Sequence, residues 1–344
     1  MNHQLFVPRP GMMTAVLVAA SSFAAAQALS PAVKPAAATK KAWTAPRTPD
    51  GHPDLQGVWT NNTITPLERP KGLGAKEFYT ETELAAAQQR EHQRLARNEE
   101  EGRPTEPGTA DDVHYDFSEY GLDRSQAKLA WTLRTSMIVG PEGTIPPQTA
   151  EARKRIADVR AAARGHEFDG AESRPLGARC LARANNGPPL QPAGYNSNLQ
   201  IIQGDGYLVI VTEMIHDARV VAMNGRPHLP SNVRQWYGDS IGHWEGDTLV
   251  VDTTNFTDQT PYVGAQNLHV IERLKRVDAD TVLYQFTVED PGMWTKSWSG
   301  ETAFSKVDGL MYEYACHEAN YGLANTLNGA RVADKEAAAQ KQGK

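Results

Sequence analysis

YGDSIGHWEGDTLVVDTTNF, residues 237–256, alternates apolar and polar side chains on both sides of a Glu-Gly-Asp turn. That is the pattern of a β-hairpin. The two-residue turn is either Glu245-Gly246 or Gly246-Asp247, and both give the same grouping of faces. Asp239, Ile241 and His243 share a face with Val250, Asp252 and Thr254. Ser240, Gly242, Trp244, Leu249, Val251 and Thr253 take the other. Trp244, Leu249 and Val251 favour the second face as core and leave the first one wet. The competing reading makes the first face a site. Glu245 and Asp247 read as turn and turn-flank residues.

The same texture runs from residue 198 onward. NLQIIQ, a GDG turn and YLVIVTEMIHDARVVAM are followed by the hairpin above. LHVIERLKRV, DAD and TVLYQFTVED come next, then MWTKSWSGETAFSKV, DG and LMYEYACHEAN. Strand, Asp/Gly turn, strand, repeated, predicts an antiparallel meander curled into a barrel or half-barrel. Two helices are expected upstream, one opened by the Thr80/Glu83 capping box and one capped by Thr149. Residues of about 74–170 therefore read as a helical insertion, with strand character also in AWTLRTSMIV at 130–139.

The first 28 residues have a positive start, an unbroken run of apolar and small residues and an Ala-x-Ala site. They read as a secretory signal peptide, which puts the mature protein in the periplasm or outside the cell. Residues 29–46 read as a Pro/Ala/Lys linker, 47–330 as a single β-barrel-type domain and 331–344 as a disordered tail. No later stretch is apolar enough to cross a bilayer. The net charge of −6 and scattered basic residues exclude a nucleic-acid partner from the expectations. Cys180 and Cys316 are the two cysteines, and an oxidising compartment favours a disulfide between them. Two inert thiols, or a reactive Cys316–His317 pair, are the alternatives.

RTPDGHPDLQGVWTNNTITPLERP, RPHLPSNVRQWYGDSIGHWEGDTLVVDTTNF and YEYACHEANYG together resemble a family of uncharacterised secreted bacterial proteins, over most of the mature chain. The resemblance transfers no functional residue. The Gly57-Val58-Trp59 start, followed by the meander, is also similar to calycin/lipocalin-like barrels. That group holds ligand carriers and cofactor-free enzymes.

No Gly-rich phosphate loop, nucleophile elbow, HExxH or CxxC occurs. Carboxylates and imidazoles within strongly apolar β-strands make acid–base chemistry without an organic cofactor the expected activity, as a lyase, hydratase, isomerase or hydrolase acting on a small organic molecule such as a terpenoid, aromatic or glycoside. His243 or His317 would move the proton, with Glu213, Asp239 or Asp252 as orienting group or second acid. Glu213 enters because it lies in a run apolar on both faces, where a carboxylate needs a partner or a ligand. Arg234 would anchor the substrate beside Trp236, Trp294 and Tyr312. No histidine pair has short ligand spacing, so no metal site is expected. The alternative function is a barrel that binds a small ligand without turning it over.

Overall fold

Nine strands close into a barrel in chain order, the last returning to the first. They are β1 Gly57–Thr60, β2 Asn198–Gly204, β3 Tyr207–Thr212, β4 Ala218–Ala222, β5 Asp239–Glu245, β6 Thr248–Thr254, β7 His269–Arg276, β8 Thr281–Glu289 and β9 Trp298–Val307. The computed structural model describes residues 43–101 (94–101 as backbone only), 129–183, 186–192, 194–258, 265–318 and 320–342. The expected leader, and the linker up to residue 42, lie outside these.

The meander is antiparallel throughout with one exception. In the opening hairpin Glu245 faces Thr248, so Gly246-Asp247 is the turn. Gly246 takes a positive φ of 59°, which that turn requires. β4 and β5 instead run parallel through only two pairs, Val221↔Ser240 and Ala222↔Ile241. The chain between them, 223–238, must cross back over the barrel before β5 begins.

Alternation sorts the side chains. Trp59, Leu199, Ile210, Val251, Tyr284 and Phe304 point inward and belong to one buried cluster. Trp59 also donates its Nε1–H to the Leu55 carbonyl at 2.9 Å, which fixes the indole at the barrel opening. Gly300 leaves room for the Phe286 ring, which a β-carbon there would overlap. The interior also encloses charge. Arg219 of β4 forms a two-point pair with Glu272 of β7, its Nη2 lying 2.9 Å from Oε1. Both are buried. Tyr284 donates to the same Oε1 at 2.7 Å and accepts from the Leu190 amide at 2.8 Å. Burial first, and the Glu272 charge second, raise the phenol pKa, so Tyr284 stays a donor.

Helix α1 spans Glu81–Glu101 and α2 spans Ala150–Ala163, both between β1 and β2 in the chain. The caps form as expected. Glu83 accepts from the Thr80 amide at 2.8 Å, and Thr149 Oγ1 accepts from the Ala152 amide at 3.0 Å. Four local expectations are corrected. Residues 130–139 make only isolated bridges, at Arg134 and Ile138, and no strand. The run from Tyr207 breaks after Thr212, where Ile215 and His216 adopt positive φ. Residues 310–318, expected as a strand, form none, and Tyr312, Glu313 and His317 among them lie exposed. Residues 331–342, expected as tail, continue helix α3, Tyr321–Gln342, whose Ala, Lys, Glu and Gln content has high helix propensity.

Cys180 and Cys316 are bonded, with Cα atoms 5.6 Å apart, and tie the segment before β2 to the segment after β9. Among the described residues no helix is long and apolar enough to cross a membrane.

The interior ion pair sets a stability prediction. Glu272→Leu alone takes the carboxylate from a buried guanidinium and is expected to cost about 3–5 kcal/mol. Pairing it with Arg219→Met should recover most of that loss in guanidinium unfolding. A double variant no more stable than the single one would show that packing, not charge, sets the cost.

Candidate functional site

Outward-facing side chains of β5 to β8 meet the crossover 223–238 in one polar chain. Asp252 pairs with Ile271 across β6–β7, so His269 is its diagonal neighbour on the outer face. His269 Nε2 lies 2.9 Å from Asp252 Oδ1, and its Nδ1 lies 3.0 Å from Glu289 Oε2 on β8. From the crossover, His228 places Nε2 3.0 Å from the same Asp252 oxygen and Nδ1 3.0 Å from Asp239. Asp239 also accepts two bonds from Arg226, at 2.5 and 3.1 Å, and one from the Leu229 amide at 2.9 Å.

Charge is distributed accordingly. Burial pushes Asp239 up, but Arg226, the Leu229 amide and His228 together outweigh it and bring its pKa down to about 2. Asp252 is likewise raised by burial and lowered more by His269 and His228, for a net depression. His269 is raised, first by its bond to Asp252 and then, against burial, by the charges of Asp252 and Glu289. A neutral imidazole has one N–H, whereas each of these rings faces a carboxylate at both nitrogens. The raised pKa of His269 favours the cationic ring, which donates to both Asp252 and Glu289. The cluster is thus a clasp that holds the crossover against the barrel wall. Neither ring keeps a nitrogen for a substrate, which weighs against a general base here.

The expected site residues disperse. Asp239 and Asp252 share the outer face and join the same chain. His243 does not. It stands exposed at the far end of β5 and lies 3.2 Å from Glu245, since four residues of extended strand separate it from Asp239. His317 is exposed on the segment after β9 and does not point into the barrel interior. Glu213 is buried where β3 ends and accepts from Asn196 at 3.2 Å and from the Asn198 amide at 3.3 Å. Local amides thus meet part of its burial. Arg234 donates to the carbonyls of Phe256 and Gln266 at 2.9 and 3.0 Å. With Trp236, Arg226 and Asp239 it lines a cavity of about 470 Å³ at the β4–β5 seam. Tyr312 is 65% exposed and lies on neither cavity described here.

Trp294 lines a different cavity, of about 460 Å³, at the barrel end where β8 leaves and β9 enters. Leu268, Val288, Met293 and Trp298 form its floor, and α2 lies across it with Ile156 and Val159. The two indoles meet edge to face with centroids 6.2 Å apart. Asp290 is the acid of this cavity. It is buried, accepts from the Gly292 amide at 3.0 Å, and has a pKa raised by burial against that bond and the nearby Arg155. The cavity volume falls within the range of small-molecule sites.

His269 is the residue that strand reasoning could have found, since β6–β7 register alone puts it beside Asp252. His228 sits in a loop and leaves no periodic signal. Asp290 and Trp298 flank a turn whose cavity is completed by α2, distant in sequence. Among the described residues no group of three or more His, Cys, Asp or Glu side chains is arranged to hold a metal ion. No protein-family model matches the chain, and no curated protein is detectably similar to it.

The clasp has a pH signature. The raised pKa of His269 makes its contribution complete below its unfolded value of about 6.5. That contribution is lost as pH rises through the folded value. The depressed pKa of Asp239 acts oppositely: its contribution is present above about 3.9 and is lost as pH falls toward 2. Stability from the clasp should therefore peak between about pH 4 and 6.5. His269→Gln is expected to cost about 1 kcal/mol near pH 5.5 and clearly less at pH 9, followed by urea unfolding across pH. An equal loss at both pH values would show that the ring's charge plays no part.

Proposed function

We propose that the protein is a secreted or periplasmic barrel that binds a small, mainly apolar molecule in the cavity beneath α2. The observation that carries this reading is the cavity itself, walled by Trp294, Trp298, Met293, Leu268 and Ile156. The barrel interior is packed with its own side chains, and this cavity lies outside it, at the mouth. Val159 remains 57% exposed although it faces the cavity, a surface that a ligand would cover. The disulfide supports an oxidising compartment. Membership in the secreted bacterial family and kinship with calycin-like ligand carriers belong to the same proposal.

One observation favours turnover as a second reading. Asp290 is a carboxyl in an aromatic cavity with its pKa raised by burial, the kind of setting in which a carboxylic acid serves as a proton donor. The acid–base enzyme then centres on Asp290 in place of His243 and His317, with no organic cofactor.

A panel of aromatic, terpenoid and glycoside compounds tests both readings. Binding is followed by tryptophan fluorescence and thermal shift, and conversion by mass spectrometry. At least one apolar compound should bind, and Ile156→Trp, which fills the cavity from the helix side, should weaken it about tenfold or more. A compound changed by the wild type but only bound by Asp290→Asn would move the enzyme to first place. No binding across the panel would remove the proposal.

A further inference from the structure

The cavity beneath α2 carries one positive charge that the protein leaves unanswered. Ile156, Val159 and Arg160 reach it from one helix face, at positions i, i+3 and i+4. The acid of the cavity, Asp290, already has a cation near it, Arg155, whose Nη2 donates to the Gly292 carbonyl at 3.2 Å. Arg160 is different. It is exposed on the lining, and no hydrogen bond or ion pair among the described residues holds its guanidinium. A second carboxylate on the lining would have cancelled it, and there is none among the described residues.

We infer that the ligand is an apolar monocarboxylate, its body against Trp294, Trp298 and Met293 and its carboxylate on Arg160. This rests on the binding reading above and names its ligand class. A planar guanidinium offers two parallel N–H donors to a carboxylate, which fixes orientation as well as charge. A single uncompensated cation matches a single negative charge. Deep apolar walls disfavour a dianion, whose second charge would be desolvated without a partner. The position of Arg160 on the solvent side of the cavity keeps the head group hydrated while the body is buried. The amphipathic ligand therefore enters body first.

The test compares 2-naphthoate, methyl 2-naphthoate, 2-naphthylmethanol and 2-naphthylmethylamine by isothermal titration calorimetry. Arg160→Gln and Asp290→Asn are measured beside the wild type. The acid is expected to bind about five- to tenfold tighter than the ester and the alcohol. Arg160→Gln should remove that advantage, bringing the acid to the affinity of the ester measured in the same variant. Added salt should weaken the acid alone. Arg160 is exposed, so its replacement is not expected to disturb the fold. Equal affinity of acid and ester in the wild type overturns the inference and leaves the binding site standing. So does tightest binding by the amine that is lost in Asp290→Asn, which assigns the head group to Asp290. Absence of binding by all four, with the wider panel also silent, removes the site and the inference together.

Discussion

The seam between β4 and β5 is the joint on which the barrel depends. Every other neighbouring pair is antiparallel, whereas this one has two parallel pairs. Two peptide pairs cannot hold a barrel edge shut against a sheet's tendency to splay, so side chains complete the closure. Inside, Arg219 of β4 reaches Glu272 of β7 and braces the seam strand against the far wall. Outside, Arg226 and His228 bind Asp239, the first residue of β5. The inner and outer braces use alternate positions of the same sheet, as the pleat requires.

This arrangement decides where chemistry can occur. The interior is filled by Trp59, Tyr284, Phe286 and Phe304, and Tyr284 also bonds the Glu272 of its Arg219–Glu272 pair. The outer histidines are occupied at both nitrogens. Apolar space and the Arg160 guanidinium are found together at the barrel mouth, where the turn after β8 and helix α2 leave a cavity between them. α2 is fastened there through its start. The Thr149 amide donates to Met293 O at 3.0 Å, and Gln148 bridges Trp294. Its later residues, Val159 and Arg160, remain exposed over the cavity.

Most of the barrel was legible because its signals are local. Period-two alternation and Asp/Gly turns mark β2, β3 and β5 to β9, and Thr80 and Thr149 announce their helices. Where a strand-like run failed, the reason was tertiary. Met311, Tyr312 and Tyr314 alternate well enough for a strand, but the barrel closes with β9 on β1 and offers them no free edge. β4 was hidden in one long apolar run because the break at Glu213 depends on backbone turning through Ile215 and His216, which no turn residue there signals. The site was less legible than the fold. The sorting of faces brought Asp239 and Asp252 to one side correctly, yet it assigned them an imidazole on their own strand. Extended geometry puts His243 out of reach, and the rings that do arrive come from a crossover loop and from a strand two hairpin arms away.

That substitution of partners changes the chemistry. A histidine with one ring nitrogen on a carboxylate and the other open is a base. A histidine with carboxylates at both nitrogens is held best as a cation, and its proton is an element of structure. The same sequence letters, Asp and His on a common sheet face, thus support opposite roles according to how many acids surround each ring. Asp290 shows the converse case. Nothing in its sequence neighbourhood, EDPGMW, distinguishes it from an ordinary turn aspartate. Its raised pKa comes first from burial in a cavity that α2, well over a hundred residues earlier, helps to enclose. Paired charge holds this barrel together, while Arg160 stands at the rim of one apolar space with Asp290 buried in its wall beside Arg155.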